Sequence, residues 1–310
     1  MRRLQGFFAM LFLLSVRWSI AQPSGYSQSA VLWINHTKVS NTDQPNFPVL
    51  IATQADSMKG SAGGGCMQSP NAYDIVFSSD NAGANLLPYQ RLRHDLNLGR
   101  VVYYVRVPTL SHAADTPIYI WCGNASVVSD QSNPAAVWDA NYKAVWHLNE
   151  NANSATINDS TANGHTGTFT AVASTRIAQG KLPNLTALSF TPSDHVDFAS
   201  AQGGDFDFTA GAFTFSYWVN ITTFATYGTY FGNGKYVNPG YYFQESSAGG
   251  RGFAMEVTST AYAQNSTGHQ TNSWYYITVS RNGNTMTFYL NGSQFYTSTN
   301  FANPTSRLRN

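Results

Sequence analysis

The sequence predicts an all-β protein built from two antiparallel sandwiches. Short alternating runs of aromatic and β-branched residues recur along the chain, with Gly, Pro, Asn, Asp and Ser clusters between them. No segment sustains a helical period. Only 11% of residues are charged while 14% are aromatic, a balance that suits strands joined by polar turns. A length of 310 residues corresponds to about two domains.

Residues 1–21 read as a secretory signal peptide. Arg2 and Arg3 form the charged start, Phe7 to Val16 the apolar run, and Ser19-Ile20-Ala21 a small-x-small cleavage site. Arg17 and Trp18 interrupt this pattern. The apolar run falls short of the ~20 residues a bilayer span needs, and no later segment is a candidate. The mature chain is therefore expected at the cell surface or in the medium, without a membrane span. The formal net charge is +1, and no Lys/Arg run follows the N-terminus, so nothing points to nucleic acid. Two cysteines, Cys66 and Cys122, permit one disulfide in an exported chain. Two unrelated buried thiols are the alternative, because pairing depends on a proximity that spacing does not reveal.

The first domain is expected over residues 25–137. A short strand holds Val31 to Ile34, and a second, entered through Pro48, holds Asn46 to Ile51. The loop GSAGGGCMQSPN at 60–71 is not a phosphate cradle, since no Gly-Lys-Ser/Thr follows it. Tyr73 to Phe77 is a strand, Arg100 to Val107 another that Pro108 stops, and Thr116 to Trp121 a last one before Gly123. Together NFPVLI, YDIVF, RVVYYVRVPTLS, DTPIYIWCGN and NPAAVWDANYKAVWHLNE resemble, in order and approximate spacing, the bacterial DUF2341 family. The likeness covers about residues 28–140. It implies a β-sandwich of a kind found beside carbohydrate-binding-type modules in exported surface proteins. Two departures stand out. Cys122 replaces a common Tyr, and Gln90-Arg91-Leu92 stands where the family tends to carry an acidic residue.

The second domain is expected over residues 138–310. It opens with a strand at Ala144 to Leu148, followed by the polar turn Asp159 to Thr168. ALSFTPSDHVDF at 187–198 reads as a hairpin. Ala212 to Ile221 alternates, with Phe213, Phe215, Tyr217 and Val219 on one face and Thr214, Ser216, Trp218 and Asn220 on the other. Gly252 to Val257 is a short strand. Ser273 to Ser280 leads through the hairpin signal Asn282-Gly283 into Thr285 to Leu290, and Asn291-Gly292 marks a further turn. VWHLNE, NDSTANGHTGT, ALSFTPSDHVDF, FTFSYWVN and SWYYITVSRNGNTMTFYLNG together resemble the bacterial laminin-G-like, concanavalin A-like jelly roll over residues 144–295. Members of that family continue beyond the YLNG hairpin with at least two more strands. The resemblance therefore implies a jelly roll that is incomplete at its C-terminus by roughly 30–50 residues.

The resemblance also implies a calcium-binding turn at Asp159, Gly164 and Thr168, using a carboxylate, main-chain carbonyls and a hydroxyl. The alternative is a tight turn whose aspartate caps local N–H groups. Asp194, Asp197, Asp205 and Asp207 read as solvated turn residues. No E-x-D-x-E strand sets several carboxyls on one side, no HExxH occurs, and no G-x-S-x-G places a nucleophile, so no enzymatic chemistry is expected. Tyr236 and Tyr241, in a Gly/Asn-rich segment, are candidates to stack on sugar rings, although core packing is the usual fate of such residues. Trp146, Trp218 and Trp274 read as structural. The expected function is non-catalytic binding of a glycan or another extracellular polymer. The alternatives are an accessory region of a larger polysaccharide-degrading enzyme or adhesin, and a structural spacer.

Overall fold

The structure, a computed structural model, describes residues 22–151, 154–170, 177–182, 185–191, 194–198, 204–208, 211–224, 228–233, 241–246, 252–257, 261–266 and 268–299. The expected signal peptide and Tyr236 lie outside the described residues. Among those described, no helix is long and apolar enough to cross a membrane. The protein is all-β, and its strands pair antiparallel. It divides between Ser189 and Phe190 into two compact units. The boundary expected near Val137 falls inside the first of them.

The first unit begins with β1 (Gln28–Ile34), β2 (Gln44–Gln54), β3 (Ile75–Ser78) and β4 (Leu86–Leu87). It continues with β5 (Tyr89–Asp95), β6 (Arg100–Leu110) and β7 (Thr116–Cys122). One sheet runs β1-β7-β3-β4 and the other β2-β6-β5. Alternation turns Leu32, Phe77, Ile118 and Ile120 from the first sheet, and Ile51, Val101, Tyr103 and Val105 from the second, into one buried core. Phe77, Tyr89 and Tyr103 meet edge to face there, at centroid distances of 5.2–5.9 Å.

Pro108 does not stop β6. The strand runs on to Leu110, and the β2–β6 register passes over the Asn46/Pro108 position. Asn46 takes a φ of 49°, so the ladder is already irregular where proline has no N–H to give. Cys66 and Cys122 form a disulfide, with Cα atoms 5.8 Å apart. It ties the glycine-rich loop to the end of β7. At Gly65 in that loop a Cβ would lie 2.0 Å from the Lys59 carbonyl oxygen, so only glycine fits. Buried Asp74 closes the same corner, accepting from the backbone N–H groups of Gln68, Ser69 and Asn124 at 2.7, 3.0 and 3.2 Å.

After β7 comes one helical turn, α1 (Pro134–Val137), capped by the Asn133 side chain, which accepts from the Ala136 N–H. The strand expected at Ala144 to Leu148 forms only a single bridge, Trp146 to Asp159, and Leu148 at φ 53° breaks the extended course. Gln90 anchors this region. Its Oε1 accepts from Trp138 Nε1 at 2.9 Å and from His147 Nε2 at 3.0 Å, and its Nε2 donates to Ser160 at 2.7 Å. These bonds place the ring proton of His147 on Nε2. Burial pushes the His147 imidazole down to about 4, so it is neutral at pH 7. The pairs β8 (Thr156–Ile157) with β9 (Gly167–Phe169), and β10 (Ile177–Gln179) with β11 (Thr186–Leu188), complete the unit. Among the described residues, the two strands of the hairpin expected at 187–198 do not pair with each other; β11 pairs with β10 alone.

The second unit contains β12 (Val196–Phe198), β13 (Phe213–Asn220), β14 (Thr229–Gly232) and β15 (Tyr242–Ser246). There follow β16 (Gly252–Val257), β17 (Ala261–Ser266), β18 (Trp274–Asn282), β19 (Thr285–Leu290) and β20 (Ser293–Ser298). Two four-stranded sheets, β13-β18-β19-β20 and β14-β15-β16-β17, enclose an aromatic core. Phe213, Ile277, Val279, Met286 and Phe288 enter it from the first sheet and Phe243 from the second. The β18–β19 turn is Gly283-Asn284, one residue beyond the expected pair, since Asn282 still pairs with Thr285. The β19–β20 turn is Asn291-Gly292 as expected, with φ values of 50° and 82°.

Candidate functional site

Strand alternation that sends Phe213, Phe215, Tyr217 and Val219 inward sends Thr214, Ser216, Trp218 and Asn220 to the opposite face of the β13-β18-β19-β20 sheet. Register extends this face across four strands. One row runs Thr214, Ser280, Thr287, Thr297, and Thr214 Oγ1 donates to Ser280 Oγ at 3.1 Å. The next runs Ser216, Thr278, Tyr289, Gln294. The third pairs Trp218 with Tyr276, ring centroids 5.1 Å apart, and a fourth pairs Asn220 with Trp274. None of these residues is charged. Trp218, Tyr276 and Tyr289 are half-buried, whereas Thr214, Ser216, Gln294 and Thr297 at the two outer strands are exposed. Thr278, at the centre, is only 2% exposed, and its hydroxyl has no hydrogen-bond partner among the described residues. Aromatic faces beside hydroxyls and amides bury the C–H surface of a sugar ring and meet its hydroxyls. This face was missed at the sequence level because its tryptophan looked like a core residue. The alternation of β13 was the available signal.

The residues singled out from the sequence stand elsewhere. Tyr241 is 1% exposed, its hydroxyl donating to the Phe206 carbonyl at 2.8 Å and its ring among Phe208, Phe213 and Phe215. It is a core residue and offers no face to a ligand. Burial raises its phenol well above the usual range. Asp159 holds its own loop. Oδ1 accepts from Val145 N and Thr161 N, both at 2.9 Å, and Oδ2 from Thr161 Oγ1 at 2.7 Å and His165 N at 2.9 Å. The Gly164 carbonyl accepts from Thr166 N at 2.8 Å, and Thr168 pairs with Thr156 on β8. Four donors thus surround the Asp159 carboxylate and one the Gly164 carbonyl, the pattern of the capped turn and a poor setting for calcium. Among the described residues no group of three His, Cys, Asp or Glu side chains could hold a metal.

Glu245 has company that the sequence did not suggest. On β15 it lies in the interior of the second unit, 3.6 Å from His269 Nε2, and Tyr230 donates to it at 3.3 Å. Burial and the neighbouring carboxylate together raise the Tyr230 phenol. The His269 ring also meets Phe224 and Tyr275 edge to face. The first unit has an open polar cleft of about 670 Å³ that includes Tyr73, Arg91 and Asp130. Its central cation is internally engaged. Arg91 lies 4.7 Å over the Tyr73 ring and donates to Asp130 at 2.7 Å and to the Ala72 carbonyl at 3.2 Å.

A family model described as the concanavalin A-like lectin/glucanases superfamily matches residues 191–309, which fall in the second unit. Among solved structures, the chain is similar to domain 4 of AbnA, a GH43 extracellular arabinanase from Geobacillus stearothermophilus, in complex with arabinotriose. Identity is 18% and the TM-score 0.39, over 53% of this chain and 81% of that one. It is also similar to an S-layer domain-containing protein from Clostridium thermocellum, at 20% identity and a TM-score of 0.32, over 52% of this chain and 74% of that one. No curated protein matches the chain.

Proposed function

We propose that this is an exported, non-catalytic carbohydrate-binding protein whose second unit holds the ligand on the outer face of the β13-β18-β19-β20 sheet. The observation that carries the proposal is the uncharged array of Trp218, Tyr276 and Tyr289 among hydroxyl and amide side chains, within the segment that the concanavalin A-like family model matches. The absence of catalysis is argued from the same face. Glycoside hydrolysis calls on two carboxylates flanking the scissile bond, and this face carries neither Asp nor Glu. Export is argued from the Arg2-Arg3 start, the apolar run and the Ser19-Ile20-Ala21 site, and the disulfide suits an oxidising compartment. Residues 25–137 are proposed as a DUF2341-like sandwich, on the motifs NFPVLI to NPAAVWD. The jelly roll is proposed to start at residue 138, with Asp159 organising its first loop.

Affinity electrophoresis of the full chain through gels containing a panel of polysaccharides tests the proposal. Retardation by at least one glycan, with no release of reducing ends on long incubation, is the expected result. Free migration through every gel contradicts binding, and accumulation of reducing ends contradicts the non-catalytic assignment.

A further inference from the structure

We infer that this face takes a neutral, unbranched polysaccharide, gripped along its length and laid across β13, β18 and β19, an inference that rests on the proposed carbohydrate-binding function. Charge argues for the neutral class. The face offers a uronate or sulfate no Lys or Arg, and Arg281, the cation of these strands, is buried on the core side. An anionic sugar docked here would lose hydration with no cation on this face to offset the loss. It equally offers an amino sugar no carboxylate.

Geometry argues for the orientation. Trp218 on β13 and Tyr276 on β18 stand side by side, and Tyr289 on β19 lies one row further along, opposite Thr278. The rings thus step across two strand spacings, about 10 Å, and a sugar chain crossing the strands meets them in turn. β13 and β20 are the outer strands of the sheet, and exposed Ser216 and Gln294 stand at its two margins. A path from one exposed margin to the other suits the interior of a long chain better than a single terminal sugar.

The test is affinity electrophoresis of the full chain with an unsubstituted β-linked glucan or mannan and, in parallel, with a polyuronate of similar length. Expected is retardation by the neutral polymer, with an affinity that changes less than about twofold between about 0.05 and 0.5 M salt, because no ion pair contributes. Trp218→Ala and Tyr289→Ala should each weaken it by about tenfold or more. Thermal midpoints within a few degrees of the parent establish that each variant folds. Retardation by the polyuronate alone, or a steep loss with salt, overturns the neutral class while leaving carbohydrate binding in place. Loss on Trp218→Ala with none on Tyr289→Ala overturns the orientation across the strands. Retardation by neither polymer overturns both this inference and the function on which it rests.

Discussion

At Asp159 four donors converge on one carboxylate, and their geometry decides its role. Removing the carboxylate leaves two backbone N–H groups of the loop, those of Thr161 and His165, and the Val145 N–H to find other partners. Asp159→Ala should cost about 1.5–3 kcal/mol in urea unfolding, the range for hydrogen bonds to a charged group. Millimolar calcium should leave the midpoint of the parent chain unchanged, and a calcium-dependent rise would return the loop to metal binding. The sequence carried the aspartate and the turn but not the direction of the surrounding N–H groups, which only the folded loop sets.

His147 has a folded-state value of about 4, below the usual 6.5. Between these values the unfolded chain binds a proton that the folded chain refuses, so its contribution is complete above pH 6.5 and is lost as pH falls towards 4. The total is at most about 3 kcal/mol. Urea unfolding at pH 7 and pH 5 should show more than half of that loss, about 2 kcal/mol, and His147→Phe, though less stable at pH 7, should lose less over the same interval. At Glu245 and His269 the prediction concerns coupling. His269→Ala should destabilise by about 3 kcal/mol by taking one partner from a buried carboxylate, while His269→Ala with Glu245→Leu should cost clearly less than the two single changes added. Additive costs in a double-mutant cycle would mean that the 3.6 Å pair is not energetically coupled.

Among the elements, strands with strong local alternation were legible. β13, β18 and β19 stand within two residues of their expected bounds, because period-two patterning is local information. Less local features were not. Pro108 looked like a stop until Asn46 of the partner strand supplied an irregular ladder position opposite it. Ala144 to Leu148 has strand composition but pairs at only one point. The disulfide also belongs to this scale. It closes a separation of 56 residues, for which the chain-entropy model gives about 4 kcal/mol. Cys66→Ser with Cys122→Ser should lower unfolding stability by up to that amount. A loss near zero would mean that the loop held by Gly65 and Asp74 is already fixed without the bond.

For the whole molecule, the all-β class was readable from composition and periodicity, whereas Tyr241, expected to meet a ligand, lies in the core. Tyr241 sits in an Asn/Gly-rich context that suggests a surface, yet the Phe206 carbonyl and three phenylalanine rings claim it. Trp218 sits in a hydrophobic run that suggests a core, yet its position in the alternation turns it outward. The same rule of alternation therefore identifies both the core of the second unit and the face proposed to meet a ligand.

The most direct measurement is titration calorimetry of the full chain with a soluble oligosaccharide of whichever glycan retards it, comparing the parent with Trp218→Ala and Tyr241→Phe. Trp218→Ala should lose about tenfold or more in affinity with little change in thermal midpoint. Tyr241→Phe should keep full affinity and lose only stability, through its bond to Phe206. Unchanged affinity in Trp218→Ala, or loss of affinity in a fully stable Tyr241→Phe, would contradict binding on the β13-β18-β19-β20 face.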